Sequence, residues 1–382
     1  MRVYLDHNAT SPLRDEVIEN MIRVMRDHHG NPSSVHEEGR AARVELDCAR
    51  EQVATLLSVN PGNVLFTGGA TEANNTVLLG MLRARRGDRK HLVTTSVEHP
   101  SIEEPVEILE REGWRVTRIG VDHDGIVDEN EIAEAIGEDT ALVSIIWANN
   151  ETGILQPMER IVALAHERGV PVHADATQAV GKVPVDLREV PLDLLSLSAH
   201  KFNGPKGVGC LISRGELAFE SILHGGPQEQ RRRGGTENVA GIAGLGTACE
   251  LATRELSDRV EQYARLRDRL WDGIQSKIPG VRRNGLASRV LPNTLNVEFE
   301  GAAGELIVQA LDIEGIAVSS GAACHSGSIE PSRVLVAMGR SPEAARGSLR
   351  FSVGHGNDES QIGCAVHYLP DLVERARRAV DA

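Results

Sequence analysis

The fold of this chain is indicated first by one stretch of sequence, residues 193–201, which reads DLLSLSAHK. The apolar run at its start predicts a buried strand, and Lys201 follows directly after that run. A lysine at the end of a buried strand is costly unless its amine is neutralised, paired or used covalently. The position of Lys201 therefore indicates a chemical role for its amine.

A second predicted strand, residues 171–174, is followed by a carboxylate at Asp175. A lysine that forms a Schiff base and a carboxylate that pairs with a pyridinium nitrogen are the two protein groups that pyridoxal 5′-phosphate (PLP) chemistry requires. Lys201 and Asp175 together therefore suggest a PLP enzyme. By itself, an aspartate in the position of Asp175 is more commonly a helix N-cap.

Length, charge and cysteine content narrow the class of protein. The chain has 382 residues, enough for two domains, and a net charge of −14, which argues against a broad nucleic-acid-binding surface. No apolar stretch reaches the roughly 20 residues that a membrane span needs, and no signal-peptide pattern is present. The five cysteines form no C-x-x-C pair. We therefore expect a cytoplasmic protein with no metal site and no membrane or nucleic-acid partner.

Short apolar runs alternate with amphipathic stretches through the first part of the chain. The runs are residues 63–67, 91–95, 114–120, 141–147, 171–174, 193–197 and 207–212. This alternation predicts an α/β fold with a mainly parallel, seven-stranded sheet covered by helices, in which the last run is consistent with an antiparallel strand. Helical spacing of apolar residues predicts a helix over residues 15–27, and a long polar helix is predicted over residues 249–276.

The pattern of predicted strands and helices changes after the long helix. Strand-like runs at residues 293–299, 316–320 and 349–353, with a helix at 304–312, predict a smaller α+β domain that the N-terminal arm completes. We expect a large domain over residues 14–255 and a small domain over residues 1–13 and 256–382.

Polar residues follow several of the predicted strands. Thr71 comes after a Gly-Gly turn, His99 follows residues 91–95, and Asn150 follows residues 141–147. Each also has a local explanation. Thr71 would belong to a simple turn, His99 would be a loop or cap histidine, and Asn150 would belong to an Asn-Gly turn. Because the carboxyl ends of parallel strands meet at one edge of a sheet, we expect these residues to converge with Asp175 and Lys201.

Cys324 lies in a run of small or polar residues, 319–328, which is typical of a mobile loop. The adjacent His325 would favour the reactive thiolate form of the cysteine. The alternative is an incidental exposed thiol.

These residues resemble the motifs of the cysteine desulfurases of the nitrogen-fixation and iron–sulfur-cluster type, within the class V aminotransferases of PLP fold type I. The similarity runs nearly from end to end, over residues 4–10, 30–34, 70–72, 98–99, 149–153, 175–178, 198–201, 224–226, 233–236, 320–324 and 348–350. The resemblance implies that the chain adopts the fold of those PLP-dependent transferases.

The resemblance also implies roles for the residues around the cofactor ring. Lys201 is implied to carry PLP as a Schiff base and later to move the Cα proton of the substrate, while His99 stacks on the ring. Asp175 is implied to pair with the pyridinium nitrogen and Gln178 to contact the ring hydroxyl.

Phosphate and substrate residues are implied in the same way. The phosphate is implied to bind Thr71, Ser198 and His200, together with Thr236 from a second subunit, which makes the protein a homodimer. Asn150 and Arg350 are implied to hold the substrate carboxylate, and Cys324 is implied to be the nucleophile that takes sulfur from L-cysteine, releases L-alanine and passes its persulfide to a protein acceptor. That acceptor is expected to be an iron–sulfur scaffold or a tRNA-thiolation relay.

Two alternatives remain open on the sequence. A class V aminotransferase or a selenocysteine lyase would have the same PLP site without an obligatory persulfide at Cys324. A catalytically idle sulfur-delivery subunit would keep only the fold, although Lys201 and Asp175 would have little purpose in it.

Overall fold

The computed structural model describes residues 2–84, 89–215, 218–320, 324–325 and 328–380, with side chains outside the description at residues 324, 325, 328 and 329. The strands are β1 (Val3–Tyr4), β2 (Val64–Thr67), β3 (His91–Thr95), β4 (Arg115–Ile119), β5 (Thr140–Ile146), β6 (Val172–Asp175), β7 (Leu194–Ser198), β8 (Gly209–Ser213), β9 (Val281–Arg283), β10 (Thr294–Phe299), β11 (Ile316–Ala317), β12 (Ser319–Ser320), β13 (Cys324–His325), β14 (Ser328–Ile329) and β15 (Ser348–Ser352).

Helices connect most of these strands. They are α1 (Asp15–Asp27), α2 (Glu37–Leu57), α3 (Ala70–Asn75), α4 (Leu82–Ala84), α5 (Pro100–Arg111), α6 (Glu129–Ala135), α7 (Met158–His166), α8 (Gln228–Arg231), α9 (Val239–Lys277), α10 (Gly304–Ile313), α11 (Arg333–Ala337), α12 (Pro342–Arg346) and α13 (Glu359–Val380). A π-helical segment, Thr76–Met81, joins α3 to α4, and single 3-10 turns lie at Pro61–Asn63 and Ala199–Lys201. Among the residues with described positions, none of the helices combines the length and apolar character of a membrane span.

The seven strands expected from the apolar runs form one sheet in the order β2-β8-β7-β6-β5-β3-β4. Strand β8 is antiparallel to both of its neighbours, and the remaining neighbouring pairs are parallel. The prediction of a mainly parallel sheet with helices around it is confirmed. Every residue of β5, β6 and β7 is buried, as expected for central strands with both faces covered.

The sequence prediction for the long helix was wrong at its start, because α9 begins ten residues before residue 249, at Val239. Glycine disfavours a helix on propensity alone, yet this early part of α9 contains Gly244 and Gly246. A Cβ at Gly246 would lie 2.2 Å from Gln52 Oε1 and 2.7 Å from the Ala49 Cα on α2. Glycine therefore lets α9 pack closely on α2, and this packing outweighs the low propensity.

A second core lies beyond the sheet. Strands β12, β15, β10 and β9 form a four-stranded sheet, while β1 of the N-terminal arm pairs in parallel with β11. Helix α9 contributes residues up to Ala252 to the first core and residues from Tyr263 onward to the second. We propose that the domain boundary expected near residue 255 lies where α9 passes from one core to the other.

Candidate active site

One cleft of about 870 Å³ opens at the carboxyl ends of the parallel strands. Its lining includes residues singled out from the sequence: Thr71, His99, Asn150, Asp175, Gln178, Ser198, His200, Lys201 and Arg350. These side chains come from five strand ends of one sheet and from β15 of the second sheet. The parallel topology therefore brings together groups that lie far apart in the sequence.

Lys201 lies in the turn directly after β7. Its Nζ donates hydrogen bonds to the backbone oxygens of Asn8 at 2.8 Å and Ala9 at 2.9 Å. Burial lowers the pKa of Lys201 to about 8, with a further lowering by the charge of Arg350, while Asp175 acts in the opposite direction. A substantial part of the amine is therefore unprotonated near neutral pH, which a nucleophilic or proton-transferring lysine needs.

Asp175 is buried at the end of β6, with 3% of its surface exposed. Its Oδ2 accepts a hydrogen bond from Asn74 Nδ2 at 2.9 Å, and its Oδ1 accepts one from the backbone N–H of Thr177 at 3.0 Å. Two donors on different elements fix the orientation of this carboxylate. The side chain also lines the cleft, so the capping explanation alone does not account for it.

His99 caps α5, as its local explanation predicted, and it also lines the cleft, while its stacking on a ring stays a prediction. Its Nδ1 accepts from the backbone N–H of Ser101 at 3.1 Å and lies 2.8 Å from Ser101 Oγ. Burial lowers the pKa of His99, Asp175 raises it and Lys201 lowers it. The result is a neutral imidazole whose orientation is set by the helix that it caps.

The turn between β2 and α3 is suited to an anion. Gly69 has a φ of +147°, a conformation that L side chains rarely adopt, and it is the N-cap of α3. A Cβ at Gly69 would lie 3.6 Å from Ser198 Oγ, so the serine hydroxyl approaches this turn closely. First-turn backbone N–H groups and the Thr71 hydroxyl can bind a phosphate here.

Two further side chains with nitrogen donors, His200 and Lys206, line the cleft. The pKa of His200 is lowered to about 4, first by burial and then by the charges of Lys201 and Lys206. Lys206 was not predicted from the sequence, because a lysine in a Gly-Pro-Lys-Gly turn has no local mark that separates it from other exposed lysines. Because the imidazole of His200 is neutral near pH 7, Lys206 is the cationic side chain of this pair that an anion in the cleft would meet.

Arg350 reaches the cleft from β15. Its NH1 donates to the backbone oxygen of Asn150 at 2.9 Å, and its NH2 donates to Asp6 Oδ1 at 2.7 Å. Its Nε is buried and has no hydrogen-bond partner among the described residues. Because Arg350 lines the cleft, its planar guanidinium is suited to a carboxylate ligand.

The residue Asn8 was missed by the sequence reasoning although it connects the parts of the site. Its backbone oxygen accepts from Gln178 Nε2 at 2.9 Å as well as from Lys201. Its side-chain Oδ1 accepts from the fully buried Lys182 Nζ at 2.9 Å and from Asn293 Nδ2 at 3.0 Å. Only the polar run around Asn8 could have pointed to it.

For two of the predicted site residues, the structure does not show a side chain in the cleft. Thr236 is exposed and does not line the described part of the cleft of its own chain. The backbone of Cys324 pairs with Ile329 in the β13–β14 ladder, but the side chain of Cys324 lies outside the described residues. Their roles stay predictions.

The residues present fit a PLP molecule. The glycine turn, the Thr71 hydroxyl and Lys206 can bind the phosphate, the buried carboxylate of Asp175 can pair with a pyridinium nitrogen, and the amine of Lys201 has a lowered pKa. Arg350 lines the same cleft, where its guanidinium can meet the carboxylate of an amino acid.

Comparison with known proteins supports one family. The pattern of the aminotransferase class-V family matches residues 3–364. A protein named cysteine desulfurase from Enterobacter agglomerans is 46% identical over 98% of this chain and 93% of its own length. A protein named cysteine desulfurase IscS from Methanosarcina thermophila is 42% identical over 98% of this chain and 93% of its own length. The solved structure of a NifS-like protein superposes with a TM-score of 0.93 at 36% identity, covering 98% of this chain and all of that one (100%).

Proposed function

The chain belongs to the aminotransferase class-V family, and on this premise we propose that its cleft binds PLP and takes sulfur from L-cysteine onto Cys324. The chain is a cysteine desulfurase, as are relatives that share 40–46% of its residues over 98% of its length. The site assignment is supported by one observation, which is that Lys201, Asp175 and Arg350 line the same cleft.

The residues proposed to hold the cofactor are those that the family resemblance implies, and most of them line the cleft. Lys201 would bind its aldehyde carbon and Asp175 its pyridinium nitrogen, with Gln178 beside the ring hydroxyl and His99 over the ring. Thr71, together with Ser198 and His200, would bind its phosphate. When bound, PLP accepts the negative charge that develops at the substrate Cα.

Lys201 is the group that moves the Cα proton. Because its pKa is about 8, its Nζ can accept a proton and return it near neutral pH. The two backbone oxygens of the N-terminal arm at 2.8 and 2.9 Å hold this amine in the cleft. The carboxylate of Asp175, oriented by Asn74 and by the backbone N–H of Thr177, would face the ring nitrogen and support its protonated form.

Arg350 and Asn150 orient the substrate. The guanidinium is fixed by Asp6 and by the backbone oxygen of Asn150, and it lines the cleft, where it would meet the carboxylate of L-cysteine.

Sulfur transfer requires a nucleophile, and we assign it to Cys324. Its thiolate attacks the substrate sulfur, so the C–S bond breaks and an S–S bond forms on Cys324. The substrate carbon takes a proton and leaves as L-alanine, so the transfer needs no external oxidant. The persulfide then passes to a protein acceptor, for which an iron–sulfur scaffold or a thiolation relay is the proposed class.

A homodimer is part of the proposal. Thr236 is exposed and lies outside its own cleft, which suits a hydroxyl that completes the phosphate site of a partner subunit. A reducing cytosol is also proposed as its location, supported by the described cysteines, Cys48, Cys210, Cys249 and Cys364, which are free thiols.

Incubation of the purified protein with PLP and L-cysteine tests the proposal. We expect alanine to form and mass spectrometry to locate the persulfide on Cys324. Cys324→Ala should abolish sulfur release, while Cys48→Ala, which removes an exposed thiol elsewhere in the chain, should not. Persistent sulfur release by Cys324→Ala would instead favour a lyase or aminotransferase with the same PLP site.

A further inference from the structure

An ion pair beside the phosphate turn is not used by the mechanism above. Arg233 Nε lies 3.0 Å from Glu72 Oε1, and Arg233 NH2 lies 3.4 Å from Glu72 Oε2. Both side chains are largely buried, with 26% of Arg233 and 16% of Glu72 exposed. At this level of burial, two parallel hydrogen bonds between a guanidinium and a carboxylate restrict the conformations of both side chains more than an exposed surface ion pair does.

The same carboxylate also holds the phosphate turn. Glu72 Oε2 accepts a hydrogen bond from the backbone N–H of Gly68 at 2.8 Å. Glu72 follows Thr71 in the first turn of α3 and lines the cleft itself. Any ligand that orders the turn at Gly68 therefore also acts on the carboxylate that receives Arg233.

On the other side, Arg233 belongs to a compact loop that ends at Thr236. The backbone N–H of Gly234 donates to the oxygen of Leu223 at 2.9 Å, and the backbone N–H of Gly235 donates to Gln228 Oε1 at 3.1 Å. The Gly234 backbone packs so closely that a Cβ there would lie 2.6 Å from a backbone nitrogen in the same loop. A shift in the backbone at Arg233 would therefore also move Thr236, which lies three residues further on.

We propose that Glu72 and Arg233 are positioning residues that couple the phosphate turn of one subunit to the loop that presents Thr236 to the partner subunit. This inference rests on the proposed function, and in particular on the role of Thr236 across a homodimer. Phosphate binding orders the turn, Glu72 holds Arg233, and Arg233 holds the loop in the shape that reaches the partner. By linkage, subunit pairing must then strengthen PLP binding as PLP binding strengthens subunit pairing.

The test measures PLP affinity of the full-length protein by fluorescence and subunit exchange by native mass spectrometry, with and without PLP. Arg233→Met should weaken PLP binding roughly tenfold, the range expected for a hydrogen-bonded charge pair that is partly buried. Glu72→Gln, which keeps an acceptor for Gly68, should have a similar effect. In both variants PLP should slow subunit exchange less than in the wild type.

Arg231→Met is the matched control, because Arg231 is an exposed arginine of the same loop whose side chain has no ion pair among the described residues. It should bind PLP and exchange subunits as the wild type does. If the Arg233→Met variant behaves like this control, the proposal is overturned.

A double-mutant cycle separates coupling from simple loss of stability. If Arg233 acts through Thr236, Arg233→Met should cause little further loss of PLP affinity in a Thr236→Ala background. If the two substitutions instead reduce PLP affinity independently, so that their fold-losses multiply, the coupling is overturned and the proposed function is unaffected. A wild-type protein that binds PLP as a monomer, or fails to bind it, would overturn the proposed function together with the coupling.

Discussion

Uptake of PLP by the apoprotein should accelerate as the pH is raised through about 8 and should level off above that value. Only the unprotonated amine of Lys201 can attack the aldehyde of the cofactor. Burial, aided by Arg350, lowers the pKa of this amine from 10.5 to about 8. The fraction of reactive amine, and with it the rate of uptake, therefore rises with pH until Lys201 is fully deprotonated.

The size of the effect follows from the two pKa values. At pH 7.5 a lysine with a pKa of about 8 is about 24% unprotonated, whereas one with a pKa of 10.5 is about 0.1% unprotonated. The site of Lys201 thus supplies roughly 200-fold more reactive amine than an ordinary exposed lysine would at this pH.

Stopped-flow absorbance of the lysine-bound cofactor measures this rate from pH 6 to pH 10, values that span the titration of an amine with a pKa of about 8. Lys201→Ala should give no such chromophore, and Arg350→Met should move the midpoint to higher pH because one cation near the amine is removed. A midpoint near the ordinary lysine value, or a rate that does not depend on pH, would refute the reasoning.

Three substitutions test other parts of the site. Asp175→Asn should weaken PLP binding and slow alanine formation about ten- to a hundredfold, because the buried charge opposite the ring nitrogen is lost; unchanged affinity would contradict the pairing. Lys182→Met should lower the free energy of unfolding by about 1–3 kcal/mol in urea, since it removes a buried donor that serves Asn8 and Gln178; an equal or higher stability would refute the need for that amine. Gly181→Ala should cost about 1–3 kcal/mol in thermal unfolding, because Gly181 has a φ of +74° and a Cβ there would lie 2.7 Å from Phe202 Cβ; a neutral effect would show that this turn can relax.

Much of the large sheet was predictable from short apolar runs. The run at 91–95 coincides with β3, and the predicted helix over 15–27 coincides with α1. Local hydrophobic patterns decide such elements, since a buried strand needs an unbroken apolar run and an amphipathic helix needs its periodicity. The run at 316–320 behaved differently, because it divides into β11 and β12, which pair with strands in two separate sheets.

Within the site, the residues that follow strands were predictable, and the residues that hold them were not. Lys201, Asp175 and His99 each end an apolar run, and that position drew attention to them. Asn74, which fixes the carboxylate of Asp175, lies in the interior of a helix and has no such mark. Lys182 looked like an ordinary polar residue in the sequence, although it is fully buried in the structure.

By itself, the sequence determined the order of strands and helices and the chemistry available at each strand end. Only the tertiary structure decided that Asn8 receives the amine of Lys201, because the two residues are 193 positions apart. It likewise decided that the glycine-rich start of α9 is helical, since close packing on α2 is a contact between distant segments. Hydrophobic periodicity and turn chemistry act over a few residues, whereas hydrogen bonds across the cleft and close helix packing exist only after the chain has folded.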